Sequence, residues 1–421
     1  MPDAPSSLRV ALLVYRGKPH CGGQGVYTRH LSKALVDLGH HVEVFSGPPY
    51  PVLDARVPLH ELPSLDLWER YPWMLPRPSQ VKTTIDIGEA WRTALTGTFA
   101  EPWAFSKRAE RAILARLDDF DIVHDNQCMG SGLLGIQAAG MPVLGTIHHP
   151  ITVDRRIDMA NAKNRFRRFG ASRFYAFTKM QSRVAQQLSR VMTVSESSLG
   201  DITADHGVDP ERLRVVNVGV DHELFRPLEH IARVPGRLMT TSSSDVPMKG
   251  LVHLLEAVAK LRTERPDVAL TVIGKPNPGG PVMRTIERLG IEDAVHFVHD
   301  VTDERIVELY AEAELAIVPS LYEGFSLPAI EAMAAGVPVV ATTGGAIPEV
   351  VGSDGTTAAL VAPGDAGALA AMIDELLDDP ARRAAIGTAG RQRAVERYSW
   401  QATARETVQQ YREVIQIVRG N

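Results

Sequence analysis

The chain has 421 residues, which is enough for two domains of ordinary size. Its content of 44% hydrophobic and 23% charged residues is that of a soluble globular protein, the formal net charge of −5 gives no general attraction to nucleic acid, and no apolar run approaches the ~20 residues that cross a bilayer. Cys21 and Cys128 show neither metal-ligand spacing nor a disulfide framework, so we expect a cytoplasmic protein.

The N-terminal segment predicts a βαβ unit. Leu8–Tyr15 is a continuous apolar run typical of a buried parallel strand, and a glycine-rich turn, a helix and a second strand follow it. The turn is not the G-x-G-x-x-G dinucleotide motif, and no G-x-x-x-x-G-K-[ST] loop occurs in the chain, which argues against a dehydrogenase or an ATPase. Gly22 and Gly23 would let the backbone approach a ligand closely, although an ordinary βα turn explains them equally well.

Residues 48–105 predict a long irregular insertion. Four of the five tryptophans lie there: Trp68, Trp73, Trp91 and Trp103. A long insertion of this kind is often functional, and aromatic faces suit sugar or lipid acceptors. The alternative is that the aromatic side chains anchor the insertion to the body of the domain.

Polar residues follow two further predicted strands of this half. Asp125, Asn126 and Gln127 come after one strand, and His148 and His149 come after the next. Because ligands of open parallel sheets bind at the carboxyl ends of the strands, we expect these residues at a ligand site beside the first turn. A structural role for His148 is the alternative.

Residues 155–190 are strongly basic. Asp158 is the single acid in this stretch, and five aromatic residues alternate with the basic ones. The sequence therefore predicts contact with an anionic membrane surface or an anionic acceptor, and a solvated charged helix face is the alternative. The basic residues are Arg155, Arg156, Lys163, Arg165, Arg167, Arg168, Arg173, Lys179, Arg183 and Arg190.

The segment 315–349 organises the second half of the chain. A buried strand ends near Val318, and a polar loop leads to a short helix opened by Ser326 as N-cap and by Pro328 in the first turn. Gly336 is expected to end this helix in the left-handed conformation, and Gly344 lies in a second loop after the next strand.

Two carboxylates, Glu323 and Glu331, flank the start of this helix. A helix N-terminus offers unpaired N–H groups and partial positive charge, which suit a phosphate group. Because carboxylates do not bind phosphate, we expect them to bind hydroxyl groups on either side of it. The segment therefore predicts a nucleotide-sugar pocket, with Glu331 on the ribose and Glu323 on the donor sugar; the alternative is that both are ordinary surface glutamates.

The stretch from Glu323 to Glu331 resembles the E-x7-E signature of retaining glycosyltransferases of family 4, and the resemblance extends over nearly the whole chain. It implies the GT-B fold, an α/β architecture of two Rossmann-like parallel-sheet domains facing across a cleft. The expected N-terminal domain is 1–222, joined by a returning C-terminal helix in 399–421, and the expected nucleotide-sugar-binding domain is 223–398.

The resemblance also implies the roles of individual residues. His148, in Thr-Ile-His, would face the donor sugar, and Lys249 would meet the diphosphate. The family usually has an arginine five residues before this lysine, and Ser244 stands there instead, which puts one phosphate contact in question. The predicted catalytic residues are Glu323, His148 and Lys249, and the predicted donor-binding residues are Gly22, Gly23, Ser244, Lys249, Val298, His299, Glu323, Gly324, Phe325, Ser326, Leu327, Glu331, Gly344 and Gly345.

The predicted reaction is transfer of a sugar from a nucleotide diphosphate to an acceptor hydroxyl, with retention at the anomeric carbon. No carboxylate is clearly placed as a nucleophile, so we favour attack from the face of the departing phosphate, as is proposed for the family. We predict that no metal ion and no other cofactor is required. The alternatives are a GT-B nucleotide-sugar epimerase and a sugar-nucleotide-binding protein with weak catalysis.

Overall fold

A computed structural model of the chain describes residues 7–18, 23–67, 76–160, 162, 164–242 and 245–420. Some residues named above lie outside these ranges, namely Cys21, Gly22, Trp68, Trp73, Lys163 and Ser244. The described chain divides into two compact units, one running to Val216 and resuming at Gln401, the other spanning Asn217–Trp400. The predicted domain limits at residues 222 and 398 remain sequence predictions, because compactness alone does not define a functional domain.

The first unit contains a parallel sheet with strand order β3-β2-β1-β4-β5-β6-β7. Strands β1, β4 and β5 are almost fully buried because helices cover a parallel sheet on both faces. The strands are β1 (Arg9–Val14), β2 (His41–Ser46), β3 (Leu59–Glu61), β4 (Ile122–Asn126), β5 (Val143–Ile147), β6 (Arg190–Thr193) and β7 (Leu213–Val215).

The helices of this unit connect the strands, and the C-terminal helix belongs to it from Gln401 onward. They are α1 (Gly23–Asp37), α2 (Thr84–Thr96), α3 (Glu101–Leu114), α4 (Gly132–Ala138), α5 (Ile151–Ala160), α6 (Arg165–Phe174), α7 (Thr178–Ala185), α8 (Glu196–His206) and the C-terminal α16 (Trp400–Arg419).

The second unit contains a parallel sheet with strand order β10-β9-β8-β11-β12-β13. Its strands are β8 (Arg237–Thr241), β9 (Ala269–Ile273), β10 (Val295–Val298), β11 (Leu315–Val318), β12 (Val339–Thr342) and β13 (Ala359–Val361). Its helices are α9 (Leu251–Leu261), α10 (Pro281–Leu289), α11 (Asp303–Glu312), α12 (Leu327–Ala334), α13 (Ile347–Val351), α14 (Ala366–Asp378) and α15 (Pro380–Arg397). The predicted architecture of two Rossmann-like parallel-sheet units is confirmed.

The insertion 48–105 was predicted to be irregular, and this prediction is wrong in part. It contains strand β3, helix α2 and the start of α3. Thr83 and Asp86 form a capping box at the start of α2, and Pro102 lies in the first turn of α3, as helix starts require.

Candidate functional site

Lys249 and Glu323 form the centre of the candidate site in the second unit. The Lys249 ammonium donates to the Glu323 carboxylate, with Nζ and Oε1 2.8 Å apart, and the Ser320 hydroxyl donates to the same oxygen at 2.7 Å. Both charged side chains are partly exposed. Two residues predicted to meet different parts of one donor are therefore adjacent, although 74 positions separate them in the chain.

Backbone contacts between two loops bring this pair together. The Leu321 amide donates to the Met248 carbonyl at 2.7 Å, which joins the loop after β11 to the turn that carries Lys249. Gly250 has a φ of +65°, and a Cβ there would collide with the carbonyl oxygen of Pro319. Only glycine allows both this conformation and this close approach, so Gly250 sets the position of Lys249.

The loop after β12 packs against the backbone of Glu323. The Ala346 amide donates to the Glu323 carbonyl at 2.9 Å, and a Cβ at Gly345, whose φ is +62°, would collide with that carbonyl. The Gly344 amide donates to the hydroxyl of Thr342 at 3.3 Å. The glycine pair thus holds the Glu323 loop in place, and contact of its amides with a diphosphate remains a prediction.

Helix α12 begins as predicted near Ser326, but the predicted N-cap is wrong in detail. Ser326 adopts a left-handed conformation with φ of +93° and makes no side-chain cap hydrogen bond. Its hydroxyl is buried and has no hydrogen-bond partner among the described residues. A non-glycine residue in this region is strained by about 1–3 kcal/mol, and such strain concentrates at functional sites. Gly336 ends the helix at φ of +70°, as predicted.

Glu331 lies on the first turns of α12 and is largely enclosed by protein. Burial raises the pKa of its carboxyl to about 7, and a long hydrogen bond from the Tyr310 hydroxyl, 3.4 Å from Oε2, opposes this shift. Near neutral pH the side chain is therefore divided between its neutral and ionised forms. An ionised carboxylate accepts hydrogen bonds only, which is the form that suits a pair of ribose hydroxyls.

The other predicted donor-binding residues of this unit occupy varied environments. Gly324 is buried, Leu327 opens α12, and the buried Phe325 ring packs edge-on against Tyr398 with ring centroids 5.5 Å apart. Val298 ends the edge strand β10, and the exposed His299 ring pairs with Asp300 at 2.8 Å. Ser244 lies outside the described residues.

His148 lies after β5 in the first unit, and residues from the end of β4 hold it. Its Nε2 lies 2.6 Å from the Asn126 Oδ1, and its backbone N–H donates to the Gln127 Oε1 at 2.8 Å. Burial lowers the pKa of His148 to about 4, so the ring is neutral at physiological pH. The expected meeting of these strand ends is observed for Asn126, Gln127 and His148.

Asp125 departs from that expectation. It is fully buried, its Oδ2 accepts from the Met129 amide at 2.8 Å, and burial raises the pKa of its carboxyl to about 7. Its strand position turns the side chain into the core, because alternate residues of a strand face opposite sides. The sequence placed the residue at the correct strand end but could not tell which way it faces.

The predicted glycine pair of the first turn is only partly described. Gly22 lies outside the described residues, and Gly23 begins α1 with open space around the position of a Cβ. The glycine that requires close backbone approach is Gly25, where a Cβ would collide with the Lys18 carbonyl. Sequence reasoning overlooked Gly25 although it stands in the same turn.

Comparison with solved structures identifies the fold. Sucrose-phosphate synthase from Thermosynechococcus elongatus aligns with a TM-score of 0.74 at 23% identity, covering 96% of this chain and 99% of that one. Anabaena HepE in complex with UDP and glucose aligns with a TM-score of 0.72 at 18% identity, covering 96% and 99%. The fold is therefore GT-B, as predicted.

Sequence comparison then identifies the family. The model for glycosyltransferase family 4 matches residues 21–224, and the model for glycosyl transferases group 1 matches 232–393. An MMP α-(1→4)-mannosyltransferase from Mycolicibacterium hassiacum is 52% identical over 410 residues, covering 97% of this chain and 98% of that protein. A D-inositol 3-phosphate glycosyltransferase from Catenulispora acidiphila is 28% identical over 439 residues, covering 98% and 96%. The chain belongs to glycosyltransferase family 4 and is a glycosyltransferase.

These relatives do not favour an epimerase or a weakly catalytic binding protein. Within the described ranges, no cluster of three or more His, Cys, Asp or Glu side chains is arranged to hold a metal ion. None of the described helices is both long enough and apolar enough to span a bilayer. Independence from metal ions remains a prediction.

Proposed function

We propose that this enzyme transfers a mannosyl group from a nucleotide-diphosphate mannose to a hydroxyl of a sugar acceptor, with retention and in an α-(1→4) linkage. The relative that is 52% identical along almost the whole chain, and named an α-(1→4)-mannosyltransferase, supports the sugar and the linkage. The Anabaena structure, a complex with UDP and glucose, supports a nucleotide-sugar donor for the class. Membership of the family supports retention.

The grouping of Lys249, Glu323 and the start of α12 is the observation that carries the proposal. Lys249 and the amides at the start of α12 would stabilise the negative charge that grows on the departing diphosphate. Glu323 would stabilise positive charge on the sugar, and Glu331 would accept hydrogen bonds from the ribose. When the donor binds, the Lys249 ammonium would interact with the phosphate as well as with Glu323.

The proposed chemistry is a substitution on one face of the sugar. The bond between the anomeric carbon and the phosphate oxygen breaks with its electron pair going to the phosphate. The acceptor oxygen forms the new bond from the same face, and its proton passes to a phosphate oxygen. In this scheme the diphosphate is both leaving group and base, so the protein needs to supply charge stabilisation rather than a nucleophile. We propose that it needs no metal ion.

The proposal is tested first by donor binding and then by turnover. A thermal-shift panel of UDP-, GDP- and ADP-linked sugars should show strong stabilisation by one mannose donor. That donor, incubated with mannose oligosaccharides, should give a product for which NMR shows the α configuration, from the anomeric carbon–proton coupling, and a (1→4) linkage. Activity should persist in EDTA. Stabilisation by no sugar nucleotide, or conversion of the donor to an epimer without acceptor, would refute the proposal.

We also propose that the basic and aromatic stretch 155–190 contributes to contact with an anionic membrane surface. Helix α6 lies in this stretch, has no buried residue among those described, and carries no acid. Phe166 and Phe169 are 79% and 62% exposed, and Arg173 lies over the Phe169 ring while its guanidinium donates to the Leu95 carbonyl. The surface of α6 is therefore continuous with the end of α2.

Helix α2 adds an exposed apolar face to this surface. Ile87, Trp91 and Leu95, four residues apart, are 57–60% exposed, whereas the buried face of the helix is polar. An apolar stripe in water is costly unless something covers it. Because the adjoining helix α6 carries four arginines and no acid, a second copy of the same surface would repel it, and an anionic bilayer is the complementary partner.

Vesicle co-sedimentation of the full chain tests this surface. Phosphatidylserine vesicles should sediment the protein and phosphatidylcholine vesicles should not, and salt should weaken the binding. Replacing Trp91 and Phe169 by serine should abolish it, whereas Val52→Ser, at another exposed apolar residue, should not. Absence of vesicle binding, or a dimer that the double variant dissociates, would refute the membrane assignment.

A further inference from the structure

A chain of hydrogen bonds runs from helix α1 to His148 through Asn126. The Asn126 Nδ2 lies 3.1 Å from the Gln24 carbonyl oxygen and 2.9 Å from the Thr28 hydroxyl. The Thr28 hydroxyl itself donates to the same Gln24 carbonyl at 2.8 Å, so it accepts from Asn126. Asn126 is fully buried, and both neighbours of its nitrogen are acceptors.

These contacts determine the orientation of the Asn126 amide. Reversing the amide would place its oxygen against the Gln24 carbonyl, two acceptors with no proton between them. The Asn126 oxygen must therefore face the His148 Nε2, from which it is 2.6 Å distant. An amide oxygen only accepts, so Nε2 carries the proton.

His148 is held at two further points. Gln127, at a left-handed φ of +65°, accepts from the backbone N–H groups of His148 at 2.8 Å and of His149 at 3.3 Å, and donates to the His149 carbonyl at 2.6 Å. The Tyr27 ring packs edge-on against the His148 ring, with centroids 4.4 Å apart. The ring position, its backbone and its proton are thus each fixed by a neighbour.

We infer that Asn126 is a positioning residue: it holds His148 in the tautomer with the proton on Nε2, so that Nδ1 accepts a hydrogen bond from a hydroxyl of the donor sugar. The inference rests on the proposed function for the identity of the ligand. The tautomer itself rests on the contacts of the first unit alone.

The charge state of the ring agrees with this arrangement. Burial lowers the pKa of His148, so the ring is neutral at pH 7 and one nitrogen is bare. The titratable groups beside it are the Tyr27 hydroxyl, whose pKa burial raises, and His124, whose pKa burial and the nearby His148 lower to about 3. Neither is charged at pH 7, so no neighbouring charge competes for the His148 proton.

Nitrogen-15 NMR of the histidine-labelled full chain tests the tautomer without any substrate. At pH 7 the His148 ring, assigned by the loss of its signals in His148→Gln, should show a protonated Nε2 and a bare Nδ1. In Asn126→Ala the two tautomers should mix, and in Asn126→Asp the carboxylate should raise the pKa of His148. A protonated Nδ1 in the wild-type protein would refute the inference.

Kinetics with the active donor test the role in transfer. Asn126→Ala should lower kcat by roughly 10- to 100-fold with a smaller change in the donor KM, the effect of a misplaced contact at the reacting sugar. With the wild-type enzyme, one of the singly deoxygenated donors should be transferred more slowly than the complete donor. With Asn126→Ala this difference should be much smaller, because the missing hydroxyl and the lost positioning affect the same hydrogen bond. The control is Gln137→Ala, which removes another amide-to-carbonyl hydrogen bond, to Gln187.

The outcomes separate this inference from the proposed function. If no sugar nucleotide is used but the NMR shows a protonated Nε2 that depends on Asn126, the proposed function fails and the positioning role stands without its ligand. If transfer occurs, either of two results would show that the inference is wrong. One is a wild-type kcat in Asn126→Ala; the other is that the loss of rate caused by this substitution simply adds to the loss caused by each deoxygenated donor. If Asn126→Ala does not fold, the spectra of Asn126→Asp and of the wild-type protein decide between the two tautomers.

Discussion

If Glu331 binds the donor ribose as proposed, the environment of this single carboxyl makes donor binding depend on pH. Burial raises its pKa to about 7, so a substantial fraction is protonated in the free enzyme at neutral pH. Ribose hydroxyls that donate to the carboxylate would favour the ionised form and lower this pKa in the complex. Donor binding would then release a proton, and the release would be largest at pH values between the pKa of the free enzyme and the lower pKa of the complex.

We therefore predict that donor affinity falls as the pH is lowered below about 7, by up to about tenfold per pH unit, and is constant above about pH 8. Glu331→Gln should bind the donor about tenfold more weakly at pH 8 and show no such slope. Calorimetry measures the donor affinity at each pH. The ligand should be an intact sugar nucleotide, because the terminal phosphate of a nucleotide without its sugar would itself titrate near pH ~6. An unchanged slope in Glu331→Gln would exclude Glu331 as its origin.

Glu323 is the residue whose charge the proposed mechanism uses most directly. Glu323→Gln keeps the shape of the side chain and the hydrogen bond from Ser320 but removes the charge beside Lys249 and the sugar. We predict that kcat falls by about 10²–10³ while the donor affinity changes little. Glu256→Gln, at an acid on α9 that pairs with Arg288, is the control and should retain activity. Wild-type kcat in Glu323→Gln would refute the assigned role.

The sequence predicted the members of this site better than their contacts. Spacing placed Glu323 and Glu331 around the start of α12, and a family motif added Lys249. It could not predict that Lys249 and Glu323 form an ion pair, because that contact depends on the fit of Gly250 against Pro319. Nor did it predict the strained Ser326, since serine is an ordinary N-cap residue in most helices.

At the scale of single elements, helix α2 shows why a regular segment escaped prediction. Its buried face carries Asp86, Glu89 and Thr93, whereas Ile87, Trp91 and Leu95 face outward. A sequence pattern of apolar residues facing a core does not detect this helix, because ion pairs rather than apolar packing attach it to the unit. The largely apolar strands β1, β5 and β11 follow the usual pattern and were predicted.

Arg108 is the attachment point of α2. Its guanidinium donates to Asp86 at 2.6 Å and to Glu89 at 2.7 Å, and all three side chains are buried. Burial raises the pKa of Glu89, which Arg108 only partly opposes; for Asp86, hydrogen bonds from Arg108 and from the Lys82 and Thr83 backbone outweigh burial and lower its pKa. The two carboxyls therefore depend on one cation.

We predict that Arg108→Met destabilises the first unit by about 3–5 kcal/mol, because it leaves two buried carboxyl groups without their partner. Urea unfolding followed by circular dichroism measures the loss. Arg56→Met, which breaks an exposed ion pair with Asp54, should leave the unfolding midpoint unchanged. If the two variants behave alike, α2 is not held by its buried ion pairs.

At the scale of the whole molecule, each compact unit contains a buried tyrosine whose hydroxyl ties a late helical segment to another element of the same unit, a strand in the first unit and helix α13 in the second. In the first unit the Tyr411 hydroxyl of α16 bonds the His124 Nδ1 at 2.7 Å, and the His124 Nε2 bonds Thr146 at 2.7 Å. In the second, the Tyr398 hydroxyl, just after α15, donates to the Val350 carbonyl at 3.0 Å. The chain crosses between units near residue 400, so these residues, 13 apart in sequence, report on different units.

We predict that the two units unfold as separate cooperative transitions and that Tyr411→Phe and Tyr398→Phe act on different ones. Tyr411→Phe removes one hydroxyl and leaves a buried imidazole nitrogen unpaired, which should destabilise the first unit by about 1–3 kcal/mol. Tyr398→Phe leaves a backbone carbonyl without this donor and should shift only the transition of the second unit. Differential scanning calorimetry of the two variants, each with and without the mannose donor, assigns the transitions. If the donor is held by Lys249, Glu323 and Glu331, it should raise the midpoint temperature of the same transition that Tyr398→Phe lowers. If both variants shift a single transition equally, the chain unfolds as one cooperative body, and the helix that starts at Trp400 joins the stabilities of the two units instead of belonging to the first alone.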